Sequence, residues 1–212
     1  DAPWIPFEWG FQVLAALLER AGGLAAVRAG CGLVLAGVIL HLFRRMVRGG
    51  CNALTATVGA AVATVVFDYH AHARPHLFTY LFFSLFAGRL DAVASGRRPA
   101  RALWLLPVLM VPWANLHPGF AAGLVLIGCH VAATGLAWLR SRRGADRQAL
   151  VVQCSLLAAC ALASLANPHG WRLHAHIGEV LRLKVLPLWD EFASPDFHTN
   201  APAIQFLRLA SM

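Results

Sequence analysis

Long apolar stretches recur along this 212-residue chain, and they limit its fold more than any other feature. A transmembrane helix needs about 20 predominantly apolar residues to cross the ~30 Å hydrocarbon core of a bilayer. Six stretches approach that length and alternate with short polar connections, so the sequence predicts an all-α, polytopic transmembrane helix bundle with about six spans. The predicted spans are 24–43, 51–67, 77–91, 102–116, 119–139 and 149–166.

The composition agrees with this class, because only 13% of the residues are charged, whereas soluble domains carry about 25%. Residues 7–18 form a shorter apolar segment, predicted to be an interfacial helix or one end of a span. We therefore expect a transmembrane helical domain over 1–166. The remainder, 167–212, is predicted to be an amphipathic helix over 171–188 and a loop. Because the chain opens at Asp1 without a basic leader segment, we expect it to be a fragment whose N-terminal part is missing.

The distribution of arginines explains the net charge of +8. Three connections rich in arginine, 44–48, 97–101 and 140–147, alternate with histidine-bearing segments. The positive-inside rule places the arginine connections in the cytoplasm and the histidines on the opposite side. Nucleic-acid binding is not expected, because no aromatic and basic platform accompanies the charge. The expected partners are membrane lipids.

Eight of the ten histidines fall on the predicted non-cytoplasmic side. Ionisable groups beside the hydrocarbon are costly and mark candidate functional sites, although connecting loops must be polar in any case. His70, His72 and His76 have side chains that ligate transition metals, but no cysteine completes a tetrahedral set, and no metal site is assigned. Alternatively, Arg74 and its neighbouring histidines bind a phosphate, for which the guanidinium fork is suited.

Two short motifs place asparagine and histidine at the same predicted depth. Residues 115–119 read Asn-Leu-His-Pro-Gly and residues 167–170 read Asn-Pro-His-Gly, and proline and glycine alone explain a turn at each. Glu8 lies at the edge of an apolar run, where a carboxylate needs a partner. Glu8, Arg74, His76, Asn115 and His117 therefore all belong to the predicted non-cytoplasmic side.

Five elements of the sequence, taken in order, resemble a known group of proteins. They are Pro3–Trp9, Arg74–Leu81, Trp113–Phe120, Asn167–Trp171 and Trp189–Phe197. Together they resemble bacterial polytopic glycosyltransferase-like proteins, which are similar to the C-type glycosyltransferases that use polyprenyl-phosphate sugars as donors. Pro118 stands where that family usually has glycine.

The resemblance implies transfer of a sugar from a polyprenyl-phosphate donor to an acceptor, at the periplasmic face of a bacterial inner membrane. It implies one pocket lined by Glu8, Arg74, His76, Asn115 and His117. In that pocket Glu8 and His117 would be the catalytic residues, and Arg74 would bind the carrier phosphate. Substrate binding would also involve the side chains His72, His76 and Asn115. In the resembling enzymes the base is an acidic residue of the first outer loop, sometimes assisted by a divalent metal ion. That loop would precede Pro3.

Two other classes of function are compatible with the sequence. One is a transporter or permease, and the other is a structural membrane subunit without catalysis. Transporters place ionisable groups near the bilayer midplane on broken helices. The predicted spans here are nearly free of acids, which favours chemistry at the membrane surface.

Overall fold

The computed structural model describes residues 6–68 and 74–182 of the chain. Within those ranges all regular structure is helical, which confirms the predicted all-α class. A short 3₁₀ helix (Ala100–Trp104) precedes α4. The α-helices are α1 (Trp9–Arg48), α2 (Ala53–Asp68), α3 (His76–Ala94), α4 (Leu105–Leu116), α5 (Phe120–Ser141), α6 (Gly144–Ala163) and α7 (Trp171–Val180).

Four of these helices, α1, α3, α5 and α6, are long and apolar enough to cross a membrane. The other two apolar segments, α2 and the 3₁₀ helix with α4, lie where spans were predicted but are shorter. At 1.5 Å per residue, the 16 residues of α2 extend only about 24 Å, less than the ~30 Å hydrocarbon core. Over residues 6–68 and 74–182 the fold is therefore a helical membrane bundle in which four helices have full crossing length.

The outer surface of the bundle is apolar, as a membrane protein requires. Leu24, Leu33, Leu54, Val125 and Leu162 are each between 66% and 75% exposed. Apolar side chains scattered over several helices in this way would form large unfavourable patches in water, whereas a bilayer solvates them. The chain is therefore an integral membrane protein.

The first helix departs from the predicted layout, because the segment 7–18 and the first span share one element. Inside α1 the backbone leaves helical geometry at Gly22 and Gly23, where Gly23 has φ +65°. A Cβ on Gly30 would lie only 3.0 Å from Leu18 Cδ1, although twelve residues of straight helix extend about 18 Å. The two halves of α1 therefore fold back on each other, and the left-handed conformation at Gly23 makes that reversal possible.

Side-chain contacts define the two ends of the bundle. At the histidine end, the start of α1 meets the end of α4 through a hydrogen bond of 2.9 Å from Trp9 Nε1 to Asn115 Oδ1. At the arginine end, Arg45 of α1 lies 4.0 Å from Asp91 near the end of α3. The histidine end is the end of the bundle where Glu8, His76 and His117 lie, and the arginine end is the one with Arg45 and Asp91. The predicted arginine loop 140–147 is shorter than expected, since α5 continues to Ser141 and α6 begins at Gly144.

The core beneath the histidine end centres on Trp113 of α4, which is completely buried. Its ring stacks on Phe82 at a centroid distance of 5.7 Å and meets Phe86 edge-on at 5.1 Å. Gly123 of α5 has no side chain to hold that helix away, since a Cβ there would lie 2.5 Å from the indole. This packing fixes the end of α4 against α3 and α5.

The chain divides between Gly170 and Trp171, close to the boundary predicted after Ala166. In the second unit α7 ends at Val180, so the amphipathic helix predicted to reach residue 188 is shorter within the described residues. The rest of the predicted periplasmic loop, 183–212, lies outside them. His70 and His72, which belonged to the predicted histidine cluster, also lie outside the described ranges.

Candidate functional site at the histidine end

The site is assembled from residues at the ends of three helices. Glu8 immediately precedes α1, His76 begins α3, and His117 ends α4. His117 Nε2 lies 3.5 Å from Glu8 Oε1, and the rings of His76 and His117 have centroids 4.4 Å apart. Folding therefore brings together three residues that the sequence predicted for one pocket, although they are distant in the chain.

The other nitrogen of His117 is held by the protein itself. The backbone N–H of Gly119 donates a 2.9 Å hydrogen bond to His117 Nδ1, and Thr79 Oγ1 lies 2.8 Å from the same atom. Thr79 Oγ1 also accepts a hydrogen bond of 3.1 Å from Trp113 Nε1, so its hydroxyl proton is available to donate to Nδ1. An Nδ1 that accepts these hydrogen bonds carries no proton.

The protonation state of His117 follows from this geometry and from its burial. Burial, followed by the nearby His76 ring, lowers the pKa of His117 to about 3. The ring is therefore neutral at pH 7, and because Nδ1 is an acceptor its single proton sits on Nε2, facing Glu8. The 3.5 Å contact between His117 and Glu8 is therefore an approach of a neutral imidazole N–H to a carboxylate, longer than an ordinary hydrogen bond, and it is not an ion pair.

Glu8 is positioned by the first turn of α1. Its backbone carbonyl accepts a hydrogen bond from Gln12 N at 3.1 Å, while the Pro6 carbonyl accepts one from Trp9 N at 3.2 Å. The Glu8 side chain is 24% exposed, against 10% for His117. The carboxylate is thus more accessible to solvent than the imidazole that it faces.

Asn115 is occupied by contacts within the protein. Its oxygen accepts the hydrogen bond from Trp9, and its nitrogen donates to the backbone carbonyls of Val111 at 2.7 Å and Ala166 at 2.9 Å. These three bonds join α1, α4 and the segment after α6. The structure therefore shows that Asn115 holds these segments together at the site, and its predicted contact with a substrate stays a prediction.

The predicted phosphate-binding residues lie at the start of α3. Arg74 is exposed, and its backbone carbonyl accepts a 3.4 Å hydrogen bond from Leu77 N in the first turn of the helix. His76, two residues later, reaches the ring of His117. His72 lies outside the described residues, so its predicted role there remains a prediction.

The described residues do not fit a divalent metal ion. Over 6–68 and 74–182, no group of three or more His, Cys, Asp or Glu side chains is arranged to hold one. The Nδ1 atom of His117 is turned toward the donors on Thr79 and Gly119, which removes it as a ligand. The metal that the family resemblance allows for therefore has no donor set in this part of the chain.

Sequence reasoning missed three residues that support His117. Thr79 and Trp113 extend the hydrogen bonds behind the imidazole, and Gly119 approaches so closely that a Cβ there would overlap Thr79 Oγ1. One signal was available, since Thr79 lies three residues after His76 and so shares a helix face with it. The hydrogen bond from Trp113 to Thr79 depends on how α4 packs against α3, and no local sequence pattern predicts it.

Comparison of the chain with protein-family models, with curated proteins and with solved structures finds no match.

Proposed function

We propose that this chain is a membrane glycosyltransferase-like protein that transfers a sugar from a polyprenyl-phosphate donor to an acceptor at the histidine end of the bundle. The observation that carries the proposal is the contact between Glu8 and His117, held by Thr79 and Gly119 behind the imidazole. A partly exposed carboxylate oriented by a neutral imidazole is suited to act as a general base. Arg74 lies two residues before α3, whose first residue, His76, contacts the His117 ring.

In the proposed reaction Glu8 removes the proton of an acceptor hydroxyl. The acceptor oxygen then bonds to the anomeric carbon, while the bond from that carbon to the phosphate oxygen breaks. Polyprenyl phosphate leaves with the electron pair of that bond. His117 keeps its Nε2 proton, and its N–H faces Glu8 Oε1 at 3.5 Å. In this scheme the imidazole orients the carboxylate without transferring a proton, so His117 is a positioning residue.

The cationic side chain of Arg74 would stabilise the departing phosphate. A guanidinium group presents a planar pair of donors that matches two phosphate oxygens, and charge develops on those oxygens as the sugar departs. By the positive-inside rule the histidine end faces away from the cytoplasm. In a bacterial inner membrane this end is the periplasmic face, with membrane lipids around the bundle.

The experiment is sugar transfer from a radiolabelled polyprenyl-phosphate donor, using the full-length protein reconstituted in vesicles. We expect Glu8→Gln to lower the rate by a factor of roughly 100 or more, the usual contribution of a general base. Arg74→Gln should raise the donor concentration needed for half-maximal rate. His117→Gln should lower the rate and shift its dependence on pH, a change that a purely structural role would not produce.

Matched controls lie elsewhere on the same chain. Glu19→Gln removes an exposed carboxylate from α1, and Arg143→Gln removes an exposed arginine before α6; both should leave transfer unchanged. Absence of transfer by the full-length protein with every polyprenyl donor tested would refute the proposal. Uptake of a solute into the same vesicles would then favour the alternative of a transporter, and inactivity in both assays would favour a structural subunit.

A further inference from the structure

A second concave site lies at the arginine end of the bundle, away from the proposed sugar-transfer site. It is a cavity of about 740 Å³ between the end of α1, the middle of α2, the end of α3 and the connection that follows α3. Arginines reach it from α1, from α3 and from that connection. They are Arg45, Arg48, Arg89, Arg97 and Arg98.

The charge of this cavity is not balanced by the protein. Asp91 is the one carboxylate among its lining residues, against the five arginines. Its Oδ2 atom lies 2.6 Å from Arg97 Nη2 and 4.0 Å from Arg45 Nη2. In the described parts of the chain no carboxylate lies within 4.0 Å of the remaining three arginines. Five positive charges and one negative charge leave a surplus of four, which an anion would neutralise.

Topology explains why arginines lie at this end, but it does not explain why they converge. Four arginines also lie in and beside the connection between α5 and α6, at positions 140, 142, 143 and 147, but none of them lines this cavity, and Arg142 lies over the Trp138 ring at 5.3 Å. In the cavity, close approach is possible because two wall positions are glycine. A Cβ on Gly88 would lie 3.2 Å from both Arg45 Cδ and His41 Nε2, and a Cβ on Gly59 would lie 2.8 Å from Met46 Sδ.

We propose that this cavity binds the phosphate group of an anionic ligand at the membrane surface. Guanidinium groups on several elements supply paired donors to phosphate oxygens, and such bonds are among the strongest a protein makes. Basic pockets between transmembrane helices are suited to phospholipid headgroups. The same chemistry would accept a soluble phosphate, so the two sources must be distinguished experimentally. The inference is independent of the proposed sugar transfer.

The test uses the full-length protein in nanodiscs and follows its thermal unfolding. One arm compares phosphatidylglycerol with zwitterionic phosphatidylcholine. The other titrates inorganic phosphate into phosphatidylcholine nanodiscs at constant chloride and ionic strength. The test variant is Arg48→Gln with Arg98→Gln, since both side chains are exposed and neither contacts Asp91. The control is Arg143→Gln with Arg147→Gln, which removes the same charge outside the cavity.

We expect a phosphate-bearing ligand to raise the unfolding temperature of the wild type and of the control. The test variant should need at least about tenfold more ligand for the same shift, as expected when charge-assisted hydrogen bonds are lost. A shift with phosphatidylglycerol alone supports a lipid headgroup, and a shift with inorganic phosphate supports a soluble ligand. No shift in either arm, or an equal shift in test variant and control, would overturn the proposal. Arg89→Lys keeps the positive charge but loses the paired donors of the guanidinium group. The ligand concentration that it needs for the same shift should therefore lie between those of the wild type and the test variant.

Discussion

The indole N–H of Trp9 donates a 2.9 Å hydrogen bond to the side-chain oxygen of Asn115, across 106 residues of sequence. Gly10, the next residue of α1, lies against the backbone of Asn115, since a Cβ on Gly10 would lie 2.6 Å from the Asn115 carbonyl oxygen. The start of α1 is therefore held directly against the end of α4. This attachment places Glu8 beside His117, because each residue lies within two positions of the bond.

Replacing Asn115 should destabilise the histidine end. Asn115→Ala removes three hydrogen bonds and leaves the Trp9 N–H and two carbonyls without that partner. We expect the free energy of unfolding to fall by about 2–4 kcal/mol, measured by denaturant unfolding in detergent. Asn52→Ala is the matched control, because Asn52 makes one exposed hydrogen bond to Thr55 N and should cost only about 1 kcal/mol. Equal losses in the two variants would contradict the role assigned to Asn115.

A side chain at position 119 should disturb the support of His117. Gly119 has ordinary backbone angles, so Gly119→Ala acts only through space, where its Cβ would meet Thr79 and lie 2.8 Å from His117 Nδ1. We expect a loss of roughly 1–3 kcal/mol from overpacking. Gly128→Ala, in α5 with open space around it, should be neutral or stabilising because alanine favours helix. The measurement is the thermal unfolding temperature of each variant relative to the wild type. An unchanged unfolding temperature for Gly119→Ala would contradict the close approach of Gly119 to Thr79 and His117.

Stability should fall in mildly acid solution because of His117. Its pKa is about 3 in the folded protein, against an ordinary value of 6.5, so between those values the unfolded chain binds more protons. The stabilisation is complete above pH 6.5 and is lost as the pH falls toward 3, with a slope approaching about 1.4 kcal/mol per pH unit. His117→Gln cannot titrate and should show a shallower decline between pH 6 and 4.5. Parallel stability curves for the wild type and the variant would contradict the buried, neutral imidazole.

The reversal inside α1 can be tested by cross-linking. In a background without the five natural cysteines, Leu18→Cys with Gly30→Cys should form an intramolecular disulfide on mild oxidation, because the two positions are in contact. A disulfide requires Cα atoms within about 7 Å, whereas a straight helix would separate them by about 18 Å. Leu18→Cys with Gly37→Cys is the control and should stay reduced. Protection of both thiols from a maleimide reagent reports the bond, and persistent labelling of the first pair would indicate a continuous helix.

The bundle itself was predictable, because crossing a bilayer imposes a length and a polarity that can be counted along the chain. All six predicted spans correspond to apolar helical segments among the described residues, and four of those helices are long enough to cross a membrane. The reversal at Gly22–Gly23 was not predicted. Two adjacent glycines permit the chain to reverse direction but do not require it. The reversal is stabilised by the packing of Leu18 against the second half of α1, which depends on the tertiary structure.

At the candidate site the sequence identified residue types, and tertiary structure decided their partners. Glu8, His76 and His117 could be assigned to one side of the membrane because hydropathy and charge fix the depth of each connection. The protonation of His117 could not be assigned, since it depends on donors from Thr79 and Gly119 and on burial that exist only after α3, α4 and α5 pack. Asn115 was predicted to bind substrate, which stays a prediction; its hydrogen bonds with Trp9, Val111 and Ala166 were not predicted, because they depend on how distant segments pack. Hydropathy is a property of each segment alone, so the sequence determined the membrane fold; hydrogen-bond geometry joins segments distant in the chain, so only the tertiary structure decided the site.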